Sequence, residues 1–178
     1  TEGDGTFTVA FNDLNDVLQA DTDAQYIIVE FTMVLDADAN IGSEVGNPNE
    51  VYLEYTTEGG GRGQTEEDYA LVFTWTLSGD KTDGNTGDDL AGAKFVLLNS
   101  DLGQVATVDG NGRLSSWVSL TKPYDEMSVE EWEAISGAVM TSNELGGFSV
   151  RGLDDDTYYL LEIEAPAGYN LLTAPIKA

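Results

Sequence analysis

The sequence predicts an all-β protein built from tandem sandwiches, the first of them partial, with short inserted helices. Three observations carry that expectation. Short runs rich in β-branched and aromatic residues recur along the chain, and clusters of Gly, Asn, Asp and Ser separate them. Only two segments space their apolar residues three and four apart. No apolar run approaches the roughly 18 residues of a membrane helix.

Taken in order, Phe7 to Phe11 alternate, and Leu14, Val17 and Leu18 then share a helical face. Gln25 to Leu35, QYIIVEFTMVL, reads as a strand. Asp36 to Asn49 is a loop by its Gly, Asn, Asp and Pro content. In NEVYLEYTT, Val51, Leu53 and Tyr55 fall on one face and Tyr52, Glu54 and Thr56 on the other. Glu58 to Asp68, EGGGRGQTEED, reads as a flexible connector, and Asp68 to Leu77 as one strong strand. The pattern breaks at Ser78-Gly79-Asp80, which sets a domain division between residues 1–77 and 78–178. Beyond it, AKFVLLNSD and GQVATVDGNG read as a strand pair and RLSSWVSL as a further strand. Ser128 followed by Glu131 is a capping-box pattern. Val129, Trp132 and Ile135 share a face, so Ser128 to Ile135 reads as a helix laid over a sheet edge. GGFSVRGL and TYYLLEIEA follow as strands, Pro166-Ala167-Gly168 turns the chain, and TAPIKA opens a last strand.

Composition excludes several functions. The 33 acids against 7 bases give a net charge of −26, which repels nucleic-acid phosphates and anionic membranes. With no Cys and no His, disulfides, thiol nucleophiles, Cys or His metal sites and imidazole catalysis are all ruled out. No signal peptide is visible, so a secreted protein would be a processed or excised piece. Asp36-x-Asp38-x-Asn40 starts like a calcium loop, but Ile41 stands where that loop needs Gly and Asn47 where it needs Glu. GGGRGQ lacks the Lys-Ser/Thr of a phosphate loop. No carboxylate pair is singled out as a hydrolase would need. Trp75 and Trp117 lie in strand patterns and are expected in the core. No metal and no cofactor is expected.

Two segments carry the chemistry. The first is Lys81, then Thr86-Gly87 and Leu90-Ala91-Gly92-Ala93. The second is Tyr158-x-Leu160-x-Glu162, then Ala165-Pro166-Ala167-Gly168-Tyr169. In this order and separation they resemble the SpaA-type, or collagen-adhesin B-type (CnaB), domain of Gram-positive surface proteins over nearly all of residues 78–178. The resemblance implies an Ig-like sandwich that welds itself with a Lys to Asn or Asp amide. Lys81 would be the donor and Glu162 the proton shuttle. The physics supports those residue types. An amine attacks only when neutral, and burial disfavours an ammonium; burial likewise favours a protonated carboxyl that can donate to the amide oxygen. Glu164, on the same strand parity as Glu162, is its nearest competitor. The acceptor is expected beyond Ala178, since Asn170 lies too close to the turn.

Residues 1–77 resemble the C-terminal half of the fimbrial domain that precedes this one in major pilins, on the strength of IGSEVGNPNEVYLEY. There Asn49 would be an amide acceptor, with Asn47 as second choice. No Lys occurs in residues 1–77, so its donor is expected upstream of Thr1. The resemblance implies a secreted backbone pilin of a sortase-assembled pilus in a Gram-positive cell wall. Its partners would be other pilin subunits joined through sortase, and its only reaction a single turnover upon itself. The alternative is the stalk or binding region of an adhesin or minor tip pilin, with a host-surface ligand as partner. An external-substrate enzyme is the third reading.

Overall fold

In the computed structural model, residues 6–11, 28–36, 38–57 and 59–178 are described. The chain divides into two compact units, Thr1–Ala37 and Asp38–Ala178. In the first, the rings of Phe7 and Phe31 meet edge-to-face with centroids 4.8 Å apart. The strand expected at Gln25–Leu35 does not form over its described residues, 28–35. Composition signals readiness to pair, but a strand exists only where another edge receives its backbone groups. The helix expected around Leu14–Leu18 lies outside the described residues.

The second unit begins with a long hairpin in two ladders. β1 (Asn47–Val51) pairs with β4 (Asp68–Val72), and β2 (Glu54–Thr56) with β3 (Arg62–Gln64). Between the ladders, Leu53 N–H donates to the Thr65 hydroxyl at 3.0 Å and Thr65 N–H to the Leu53 carbonyl at 3.0 Å. The Gly-rich stretch expected as a connector is therefore the hairpin's tip, with Gly60 at φ 76° supplying the left-handed residue the turn needs. The expected strand Asp68–Leu77 is two strands. β4 ends at Val72, and β5 (Trp75–Asp80) joins a different sheet.

That sheet is β5 paired with β10 (Gly147–Leu153). Opposite it stands the larger sheet, in the order β12 (Ile176–Lys177), β11 (Tyr159–Glu164), β6 (Lys94–Leu98), β7 (Gln104–Val108), β8 (Leu114–Ser119). The short β9 (Met140–Thr141) also pairs with β6. The strand pairs within these sheets are antiparallel.

β6 explains the architecture. KFVLL is apolar without alternation because both of its faces are covered. Phe95 and Leu97 face one core with Ala106, Val150, Leu153, Tyr158 and Leu160, where Phe148 stacks on Phe95 at 4.5 Å. Val96 and Leu98 face the other, with Val105, Ile163, Ala138 and Trp132. Trp132 comes from α1 (Val129–Ala134), whose Ser128 hydroxyl caps Glu131 N–H while the Glu131 carboxylate reaches back to Ser128 N–H. A turn of 3₁₀ helix, Tyr124–Glu126, leads into it. Of the tryptophans expected in the core, Trp117 is half-buried against Tyr158, but Trp75 is 49% exposed because it opens β5 at the end of the smaller sheet.

A buried lysine–glutamate pair between the sheets

β11 delivers Glu162 to the core. Leu160 and Glu162 share the face toward β5 and β10, and Glu162 stands opposite Phe95 on β6. A bulge follows: Glu162 pairs with Phe95 and Glu164 with Lys94, so Ile163 is the extra residue. The parity that would put Glu164 beside Glu162 is thereby broken. Glu164 turns to the helix side, where its carboxylate and that of Glu133 take the Lys94 ammonium at 2.8 and 2.7 Å. Those hydrogen bonds, Glu133 first and Glu164 second, hold the Lys94 ammonium above its ordinary range. Glu164 is thus occupied at the surface and does not compete for the core position.

Lys81 follows β5 directly. Its N–H donates to the Gly146 carbonyl at 2.9 Å, and its own carbonyl accepts from Leu90 N–H at 2.8 Å. Its side chain is 17% exposed and reaches Glu162, whose side chain is 0% exposed, with Nζ 2.9 Å from Oε1. That approach is short but off the hydrogen-bonding directions, so Oε1 is buried without a directed hydrogen bond. Oε2 accepts the Leu172 N–H at 2.9 Å. The two side chains singled out in the sequence, 81 residues apart in the chain, therefore meet.

The surrounding loops fix the backbone around Lys81. Ser142, buried, accepts Ala93 N–H at 3.0 Å and donates to the Leu90 carbonyl at 2.8 Å, clamping the Leu90–Ala93 motif to β9. The Asn143 side chain accepts from Leu145 N–H and Gly147 N–H, closing the turn that carries Gly146. Gly146 has φ 75°, and a Cβ there would collide with the Lys81 carbonyl. Gly146→Ala is expected to cost more than the ~1 kcal/mol of left-handed strain alone, and to displace Lys81. Urea denaturation together with the Lys81 amide resonance checks both effects.

The turn-rich segment after Lys81 is ordered by Asp83. Its Oδ1 accepts Asn85 N–H at 2.7 Å and Thr86 N–H at 3.0 Å, and its Oδ2 accepts the Tyr169 hydroxyl at 2.7 Å. This joins the two sequence segments that carry the resemblance. It was not foreseen, because nothing local in either segment announces a partner 86 residues away. The Tyr169 bond first, then the two amides, hold the Asp83 carboxyl below its ordinary 3.8, and the same bond pushes the Tyr169 phenol above 10.0. A depressed carboxylate stabilises the fold above pH 3.8, and that contribution is lost as pH falls through the folded value. A raised phenol stabilises below pH 10.0 and is lost as pH rises through its folded value. Stability against pH should therefore lose the alkaline limb in Tyr169→Phe and keep a smaller acid limb, since the Asn85 and Thr86 amides still hold Asp83. A tyrosinate absorbance titration should lose one late-titrating phenol and keep another, Tyr158, which burial pushes up.

Asn49 sits within β1 opposite Ala70 and is half-buried. Asn47, not Asn49, opens the strand. Its side chain donates to the Asn40 and Val72 carbonyls and accepts Asn40 N–H at 2.8 Å. Among the described residues no lysine lies near either asparagine in sequence, Lys81 being the first in the chain. Asn170 is exposed. No helix among the described residues is long and apolar enough to cross a membrane.

Two antiparallel sheets packed over a shared core place residues 75–178 among Ig-like β-sandwiches. A family model described as the SpaA prealbumin-like fold domain matches residues 76–178, and the chain belongs to that family. Among solved structures it resembles the T6 backbone pilin of Streptococcus pyogenes (TM-score 0.53, 19% identity, covering 82% of this chain and 26% of that one). It also resembles a variant of BcpA, the major pilin subunit of Bacillus cereus (TM-score 0.51, 18% identity, 79% and 36%). The group B streptococcus pilus 2b backbone protein matches at 28% identity with a TM-score of 0.49, over 65% of this chain and 38% of that one. The chain thus spans between about a quarter and two fifths of the length of these structures. No curated protein matches it.

Proposed function

We propose that the chain is part of a structural subunit of a covalently assembled pilus on a Gram-positive cell surface, stabilised by an autocatalytic amide cross-link. The observation that carries this reading is the Lys81–Glu162 contact, 2.9 Å with the carboxyl fully buried. In it, residues 78–178 are the SpaA-type sandwich and residues 1–77 the C-terminal half of a fimbrial domain. The 47–72 hairpin supports the second assignment. It keeps Val51, Tyr52, Tyr69 and Leu71 exposed, as a partial sandwich would.

The reaction needs one acceptor, a carboxamide side chain on a strand outside residues 1–178. The neutral Lys81 amine attacks its carbonyl carbon while the protonated Glu162 donates to the carbonyl oxygen. A C–N bond forms, the amine proton returns through Glu162 to the leaving nitrogen, and the old C–N bond breaks with release of ammonia. A carboxylic acceptor loses water instead. The product closes the fold without a reducible bond. By analogy with a disulfide, it constrains the unfolded chain by about 2–4 kcal/mol. Asn49 is the corresponding acceptor in the first domain. Other pilin subunits, joined through sortase, are the partners, and the cell wall is the location. The intact mass of the full-length subunit tests the reading, since each amide formed from a carboxamide subtracts about 17 Da.

A further inference from the structure

The segment 165–172 leaves β11, turns with Tyr169 N–H donating to the Pro166 carbonyl at 3.0 Å, and is fastened at two points. Each lies beside one member of the buried pair. The Tyr169 hydroxyl holds Asp83, two residues after Lys81, and the Leu172 N–H holds Glu162 Oε2. The two oxygens of Glu162 are therefore not equivalent. Oε2 accepts an N–H bond; Oε1 is buried, accepts no directed bond and lies 2.9 Å from Lys81 Nζ. In a protonated carboxyl the carbonyl oxygen is the better acceptor, so an N–H donor at Oε2 favours the proton on Oε1. Tyr169 is itself largely exposed, so the burial it adds is small and the consequence of its bond is positional.

We propose that residues 165–172 act as a strap that selects the working oxygen of Glu162. The Tyr169–Asp83 bond holds the strap so that Leu172 N–H occupies Oε2, which leaves Oε1 to carry the proton and face the lysine. Tyr169 and Asp83 are positioning residues. The strap's role in catalysis rests on Glu162 being the proton shuttle proposed above, whereas its effect on the carboxyl does not.

The test uses the full-length subunit and separates the two. Tyr169→Phe removes only the hydroxyl, Leu172→Pro removes the backbone donor, and Leu172→Ala retains it. In Tyr169→Phe, the Leu172 amide should exchange with solvent about tenfold faster, and the Glu162 carboxyl carbon resonance should move. Loss of ammonia should slow by about tenfold in Tyr169→Phe and Leu172→Pro, and proceed at the wild-type rate in Leu172→Ala. An unchanged Leu172 exchange rate and Glu162 resonance in Tyr169→Phe overturn the strap, whatever the mass does. So does ammonia loss at the wild-type rate in Tyr169→Phe. Should the wild-type subunit show no mass deficit, the cross-linking reading fails. Exchange and resonance still decide whether the strap orients the carboxyl.

Discussion

Replacing Lys81 by alanine is expected to restore one ammonia, about 17 Da, to the intact mass of the full-length subunit. Glu162→Ala should do the same, because in the proposed reaction it leaves the amine without its proton shuttle. A mass deficit unchanged in both variants would refute the assignment. Stability should respond even in the chain of residues 1–178. Lys81→Ala leaves the fully buried Glu162 carboxyl without its partner amine, and breaking a buried pair on one side costs about 3–5 kcal/mol. The double replacement Lys81→Met with Glu162→Leu should recover most of that loss, since apolar side chains of similar volume substitute well for a buried pair. It should nevertheless form no cross-link. Chemical denaturation and mass spectrometry on the same samples thus separate a pair that merely packs from a pair that reacts.

Trp132→Ala should be about as damaging by a different route. α1 is only six residues long, too short to persist in isolation, and Trp132 is its one buried side chain, 1% exposed. The other ties are the capping box and the ion pairs Lys94–Glu133 and Lys122–Glu131, all of them partly solvated and individually weak. Truncating a buried Trp costs about 3–5 kcal/mol. Here the loss should also detach the helix and uncover the Val96, Leu98, Val105 and Ile163 face. The measurement is the denaturation midpoint together with binding of a hydrophobic dye. A loss under about 1 kcal/mol, with no dye binding, would show that the helix is not what seals that face.

Much of this was legible in the sequence, for local reasons. The capping box reads directly because Ser128 and Glu131 satisfy each other's backbone within one turn. β6, β7, β8, β10 and β11 are visible as short apolar and aromatic stretches between turn residues. Lys81 and Glu162 were found through their motifs, and Glu162 also by a physical signal, a carboxylate continuing an apolar alternation. What escaped depends on distant partners. The bulge at Ile163 sends Glu164 to Lys94, yet YLLEIE alternates without a flaw on paper. The Gly-rich tip at residues 59–61 reads as slack until Arg62–Gln64 is seen pairing with Glu54–Thr56. Trp75 reads as core because its strand is apolar, although β5 has only β10 beside it and no second neighbour to cover its end.

The unequal ladders have a mechanical consequence. Tension on the chain enters this module through β5 and leaves through β12. The first is paired with β10 along its whole length, the second with β11 by two residue pairs and the reciprocal Tyr158–Ala178 hydrogen bonds. Under load the exit strand would unzip long before the entry strand sheared. Backbone pairing alone therefore makes the module weaker at the β12 end than at the β5 end.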